Sequence, residues 1–123
     1  MKRRMLWLLY AIAMVAASLV GSRLLAEEGR EATIEGTVVD LHCYVTHGTP
    51  PEEHAACSNA CISRGVPAGF LAKDGTLYLL LEEKPFSAKD RVAGMAGIPA
   101  RAKGRLVERA GMKALQIASI EKI

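Results

Sequence analysis

Aromatic residues are scarce in this 123-residue chain, in which one Trp, three Tyr and two Phe make up 5% of the sequence. A hydrophobic core must therefore be built mainly from Val, Leu, Ile and Ala. The sequence also lacks internal repeats and low-complexity tracts. Its length is typical of a single domain, and a domain this small has room for one modest core.

Several signatures of catalytic proteins are missing as well. The three cysteines form neither the C-x-x-C motif of thioredoxin-like proteins nor the C-x-x-C-H motif of haem attachment. No arrangement of nucleophile, base and orienting group is recognisable, which counts against a hydrolase. We therefore expect a binding or accessory module and not an enzyme.

The one long hydrophobic run lies at the N-terminus, in MKRRMLWLLYAIAMVAASLVGSRLLA. Three basic residues precede sixteen largely apolar residues, Met5 to Val20, and a more polar stretch follows. This is the order of parts in an export signal. The run is long for a signal-peptide core and short for a spanning helix. Residues 1–26 are therefore predicted to be a signal peptide or a membrane anchor. The rest is expected to be periplasmic or otherwise extracytoplasmic, free or anchored to the inner membrane.

Net charge gives no sign of an electrostatic partner. The chain carries sixteen Lys+Arg and thirteen Asp+Glu, but four of the basic residues and none of the acidic ones precede residue 27. Twelve basic and thirteen acidic residues remain after that segment, for a net charge of −1. No general attraction to nucleic acid or anionic lipid follows from this balance.

The remaining chain predicts a mainly β domain with helices, over residues 33–123, after a short charged linker at 27–32. A first strand is expected over Thr33–Leu41, where Gly36 indicates a bulge or bend. Asp74-Gly75 and Ala110-Gly111 are turn signals between later strand pairs. These strands are predicted over Gly69–Lys73, Thr76–Glu82, Pro99–Arg109 and Met112–Glu121. A helical turn or short helix is predicted over Ser87–Ala96, with Ser87 as its N-cap. Five strands with a helix between the third and fourth indicate a small barrel like the OB-fold.

A second helix is predicted as an insertion after the first strand, following a loop over Tyr44–Gly48. Thr49 and Glu52 form a capping-box pattern, and Pro50 occupies the first helical position. The helix is expected to run to about Arg64. Gly65 then supplies a left-handed cap that ends it.

All three cysteines and all three histidines of the chain lie between Asp40 and Gly65. His54, Cys57 and Cys61 are spaced i, i+3 and i+7, so they share one face of the predicted helix. The preceding loop could carry Cys43 over that face. Three thiolates and one imidazole make a tetrahedral ligand set for zinc, and thiolates also suit copper(I). His42 and His47 are further candidate ligands.

Two other interpretations of the cysteines remain open. A disulfide from Cys43 to Cys57 or Cys61 would stabilise a small exported domain by roughly 2–4 kcal/mol. A Cys57–Cys61 bond within one helix is geometrically awkward. Thiol–disulfide exchange is less favoured. The helix dipole lowers the pKa of a thiol in the first turn of a helix, and both helix cysteines lie beyond that turn.

The fourth predicted strand carries four basic residues on one face: Arg101, Lys103, Arg105 and Arg109. On an OB-fold such a face could bind single-stranded nucleic acid. The strand has no aromatic residue for base stacking, and the protein is expected to be exported. We therefore interpret it as a solvated face and predict no nucleic-acid partner.

Three stretches of the sequence resemble a group of small exported bacterial proteins of OB-like build. They are EGTVVDLHCY, HAACSNACISRGVPAGFLAKDGTLYLLL and GMKALQIASIEKI, within residues 33–121. The shared features are a D-x-x-C-Y element, a C-x-x-x-C helix and a Gly-x-Pro exit. The resemblance implies that Cys43, Cys57 and Cys61 match the group's cysteines, while His42 lies outside the pattern. It implies a fold more than an activity.

Overall fold

A computed structural model describes residues 29–84 and 88–123. Five strands form a closed barrel in the order β1-β2-β3-β5-β4. Neighbouring strands are antiparallel except for β3 and β5, which are parallel. The bounds are β1 Arg30–Asp40, β2 Ala68–Ala72, β3 Leu77–Leu81, β4 Pro99–Arg109 and β5 Met112–Lys122. The predicted OB-like barrel is confirmed, and β1 begins three residues earlier than expected, within the predicted linker.

Strand β1 closes the barrel because it pairs with two neighbours. Its residues from Arg30 to Thr37 pair with β4, and those from Gly36 to Asp40 pair with β2. The crossover occurs at Gly36, where the sequence predicted a bend. A Cβ built on Gly36 would lie 2.1 Å from the Leu71 carbonyl oxygen. Strands β1 and β2 therefore lie closer together at Gly36 than a residue with a side chain would allow.

Two helices lie between β1 and β2: α1, Leu41–His47, and α2, Ala55–Ser63. The predicted loop over Tyr44–Gly48 is wrong for its first four residues, which belong to α1. The predicted start of the second helix is also wrong, because residues 51–54 form turns and α2 begins only at Ala55. Pro51 disfavours helical geometry at the residue before it, so the capping box at Thr49 does not form.

The end of α2 matches its prediction. The Gly65 N–H donates to the Ile62 carbonyl at 3.0 Å, and the Val66 N–H donates to the Cys61 carbonyl at 3.1 Å. With Gly65 at a φ of 105°, this is a Schellman motif, in which glycine adopts the left-handed conformation that other residues avoid. The chain thereby turns from α2 into β2.

Between β3 and β4 the helical turn is confirmed and the short helix is not. Among the described residues of this segment, Ala88–Asp90 form a 3₁₀ turn, and residues 91–98 continue mainly as turns and bends. Ser87, the predicted N-cap, lies outside the described residues, as does the predicted N-terminal segment at 1–26. The segment still packs on the barrel, since Val92 and Ala96 are buried in its core.

Among the described residues the core is mainly aliphatic, as the composition predicts, and Phe70 is its one buried aromatic side chain. Phe70 is the largest fully buried side chain, at 0% exposure. Around it pack Val38, Leu80, Leu115 and Ile117 from the strands and Ile62 from α2. Ile62 packs α2 against the barrel, and this contact fixes the position of the two cysteines of α2 on the surface.

The basic face of β4 is exposed and partly ion-paired. Arg101, Lys103, Arg105 and Arg109 all point outward, whereas Ala102 and Gly104 are buried. Arg101 contacts Glu35 at 2.8 Å and Glu121 at 3.4 Å. Arg105 donates to the Gln116 side chain at 2.8 Å. The predicted exposure of this face is confirmed, and the absence of a nucleic-acid partner stays a prediction.

We expect Glu35→Gln to remove an acid-sensitive part of the stability. Hydrogen bonds from Lys73 and then Arg101 lower the pKa of Glu35 from 4.5 to about 2. Its ion pairs therefore stabilise the fold above pH 4.5, and this contribution is lost as the pH falls towards 2. In urea denaturation, the free energy of unfolding of wild type should exceed that of the variant at neutral pH, and the two values should match near pH 2. A gap that persists at that acid pH would contradict this account.

Candidate metal centre

Helix α1 places Cys43 and is itself positioned by Asp40, the last residue of β1. The Asp40 backbone is extended, with φ −78° and ψ 134°, and its Oδ1 accepts a hydrogen bond from the Cys43 N–H at 2.7 Å. This is the geometry of an N-cap, for which Asp is among the preferred residues. The Leu41 N–H donates to the Pro67 carbonyl at 3.0 Å. The start of α1 is thus attached to the exit from α2.

The same carboxylate joins the two helices. Asp40 is 1% exposed, and its Oδ2 accepts a hydrogen bond from the buried Ser58 hydroxyl at 2.7 Å. Ser58 lies on α2 between Cys57 and Cys61. One buried side chain therefore sets the distance between the helix that carries Cys43 and the helix that carries the other two cysteines.

Asn59 fixes α2 on its other side. Its Nδ2 donates to the Ala55 carbonyl at 2.9 Å, and its Oδ1 accepts from the Ala96 N–H at 3.1 Å. Ala96 bridges Val38 of β1 in turn. The helix is therefore held to the barrel by polar contacts as well as by Ile62.

One set of three donors, which we call the outer triad, consists of Cys43, His54 and Cys57. Their ligand atoms all lie within 4.8 Å of one another. Zinc bonds of about 2.3 Å to sulfur and 2.0 Å to nitrogen place tetrahedral ligand atoms about 3.5–3.8 Å apart, which lies within this limit. Cys57 is exposed, and Cys43 and His54 are half-buried. The outer triad could therefore hold a metal ion at the surface.

A second set, the inner triad, consists of Asp40, Cys43 and Cys61. Their ligand atoms also lie within 4.8 Å of one another. Cys61 is half-buried and Asp40 is buried. The two triads share the Cys43 sulfur, so the four predicted ligands fall into two overlapping sets and not into one.

His54 has an unsatisfied ring nitrogen. Its Nε2 is buried and has no hydrogen-bond partner among the described residues. A buried polar atom without a partner costs roughly 1–3 kcal/mol, so such atoms in folded proteins call for an explanation. A metal ion bound by the imidazole would supply one.

The ionisation of the cluster follows from its burial and its hydrogen bonds. Burial acts to raise the pKa of Asp40, but hydrogen bonds from Ser58 and from Cys43 outweigh it and the pKa is lowered. Burial, followed by the hydrogen bond and charge of Asp40, raises the pKa of Cys43 to about 12. Burial, with contributions from Cys57, also raises the pKa of Cys61. A bound ion would have to displace protons from these thiols.

No family model matches the sequence, and no curated protein is significantly similar to it. The resemblance to small exported bacterial proteins therefore stays a prediction. Among residues 29–84 and 88–123, no helix has the length and apolar character needed to cross a membrane.

The remaining predicted ligands lie outside both triads. His42 and His47 are exposed on α1, with ring centroids 6.5 Å apart and planes at 82°. Their role as ligands stays a prediction. The residue that we did not assign as a ligand is Asp40. Its position at the end of a strand, three residues before Cys43, is an N-cap signal that could have identified both α1 and the carboxylate.

Proposed function

We propose that this protein is an exported accessory domain that binds a soft or borderline metal ion, zinc or copper(I). The observation that carries the proposal is the outer triad, in which two sulfurs converge with a half-buried imidazole whose Nε2 has no partner among the described residues. Thiolate and imidazole together favour zinc or copper(I) over magnesium or calcium, which prefer oxygen ligands. The hydrophobic N-terminal segment supports export.

The arrangement favours a binding role over catalysis. The two sulfurs come from two helices that a buried carboxylate and the barrel hold in place, and His54 directly precedes the second helix, so the site is preorganised. The exposed Cys57 side leaves the site open to solvent, which suits uptake and release of an ion. The proposal assigns no reaction to the protein.

A second candidate function is a structural domain stapled by one Cys43 disulfide. It is favoured by the position of the Cys43 sulfur, within 4.8 Å of the sulfurs of both Cys57 and Cys61. The three cysteines are free in the structure. A modest movement of Cys43 would bring either partner to bonding distance.

We expect Cys43→Ser to abolish metal binding, because both triads lose their shared sulfur. The full-length protein, purified in detergent under reducing conditions and reconstituted with zinc or copper(I), should contain at least one equivalent by elemental analysis. The substitution retains the backbone N–H that Asp40 accepts, so α1 should persist. Circular dichroism and the urea midpoint in the presence of chelator check the fold.

His47→Asn is the matched control, because His47 lies on the same helix but outside both triads. It should bind as much metal as wild type. Wild-type protein that stays metal-free after reconstitution would contradict the proposal. Thiol titration of denatured, unreduced protein tests the disulfide instead. Three free thiols support the metal site, and one free thiol supports a disulfide formed by Cys43.

A further inference from the structure

The outer and inner triads overlap at a single atom, the Cys43 sulfur. Each triad supplies three donors, the number that a zinc ion commonly takes from a protein when a fourth position is left open. A thiolate sulfur has lone pairs enough to bind two ions at once. The geometry therefore offers two adjacent positions, one exposed beside Cys57 and one beside the buried Asp40.

We propose that the cluster holds two divalent ions of the zinc class, bridged by the Cys43 thiolate. This deepens the proposed function and rests on it. One ion occupies the outer triad with His54 and Cys57. The other occupies the inner triad with Asp40 and Cys61.

Charge balance permits two divalent ions. The three thiolates and the Asp40 carboxylate carry four negative charges when all are ionised, and the His54 imidazole is neutral when it binds a metal. Two divalent ions neutralise this set.

The inner triad also has the features of a prepared site. Asp40 is 1% exposed, and its two oxygens each accept one hydrogen bond, from the Cys43 N–H and from the Ser58 hydroxyl. A carboxylate has about four lone-pair positions, so a direction remains for an ion. The two hydrogen bonds orient it, as outer-shell partners do for metal ligands. The mixture of carboxylate and thiolate suits a borderline divalent ion better than copper(I).

The competing arrangement is a single ion bound by Cys43, His54, Cys57 and Cys61. These four donors are not all within 4.8 Å of one another, whereas each triad is. The two arrangements predict different stoichiometries and different responses to loss of one cysteine. In a single site, each cysteine matters equally. In a bridged pair, Cys43 serves both ions and the other two serve one each.

Cobalt(II) is the probe that separates them, because its bonds to thiolate sulfur absorb in the near ultraviolet. Full-length reduced protein in detergent is titrated with cobalt(II) without other metals. We expect the absorbance to rise to a break at two equivalents. Cys57→Ser and Cys61→Ser should each shift the break to one equivalent, and Cys43→Ser should remove the sulfur-to-cobalt absorption.

Ser63→Ala is the control, because Ser63 is exposed on α2 and, within the described part of the chain, its hydroxyl donates to the Ala60 carbonyl and to no metal ligand. Its break should stay at two equivalents. A wild-type break at one equivalent overturns the bridged pair and leaves the proposed function intact. A Cys43→Ser protein that still binds either ion overturns the bridging role of Cys43. No cobalt binding by wild type overturns the bridged pair and the zinc form of the proposed function, and reconstitution with copper(I) then tests the copper form separately.

Discussion

Asp40→Ala is expected to lower the free energy of unfolding by about 3 kcal/mol, measured by urea denaturation with chelator present. The substitution removes the N-cap of α1, which alone is worth about 1 kcal/mol. It also leaves the buried Ser58 hydroxyl without its charged acceptor, at a further cost of about 2 kcal/mol. Because Asp40 joins β1 to both helices, we expect the region from residue 41 to 64 to lose hydrogen-exchange protection first.

Two matched variants separate these contributions. Asp40→Asn keeps an oxygen for the Cys43 N–H and places an amide near Ser58, so its loss should be smaller. Ser58→Ala removes only the link to α2 and should cost about 1–2 kcal/mol. A double-mutant cycle of Asp40→Ala with Ser58→Ala should show strong coupling. Additive effects would mean that the 2.7 Å contact between the two side chains contributes little.

Gly36→Ala is expected to destabilise the barrel by about 3 kcal/mol or more, since overpacked sites seldom relax without moving the backbone. The new Cβ would lie 2.1 Å from the Leu71 carbonyl oxygen and 2.9 Å from the Ala72 Cα. Both are backbone atoms of β2, so no side-chain rotation can relieve the clash. Strand β2 would have to separate from β1 where β1 passes between its two partners.

Thr33→Ala is the control for this prediction. Thr33 lies on the same strand, is exposed, and pairs with Lys103 of β4. Its replacement should change the free energy of unfolding by less than about 0.5 kcal/mol, as is usual for surface positions. A Gly36→Ala protein as stable as this control would show that β1 and β2 can move apart at little cost.

The barrel was predictable because its strands carry local signals. Turn residues at Asp74-Gly75 and Ala110-Gly111, and the glycine at position 36, mark where the chain reverses or bends. In β4 the alternation of basic and small residues predicts which side faces the core. These signals depend only on residues that are close in sequence, so they can be interpreted without the tertiary structure.

The helical region was harder to predict, because its signals conflict. Thr49 and Glu52 have the spacing of a capping box, but Pro51 disfavours helical geometry at Pro50, which would be the first residue of that helix. Asp40 caps α1 in the structure, whereas Thr49 caps no helix. Asp40 was not predicted as a cap because it was assigned to the first strand. The stop at Gly65 had no competing signal and was correct. A local sequence pattern predicts a helix boundary reliably where no neighbouring residue favours a different conformation.

By itself the sequence determined that every thiol and imidazole would lie in one segment beside a small barrel, because the spacing of turn and strand residues is encoded locally. Only the tertiary structure decided which of these groups meet. A carboxylate at the end of β1 binds Ser58, eighteen residues away, and so brings Cys43 against α2 and itself into the cluster. Such a contact depends on the packing of distant segments, which no local spacing specifies.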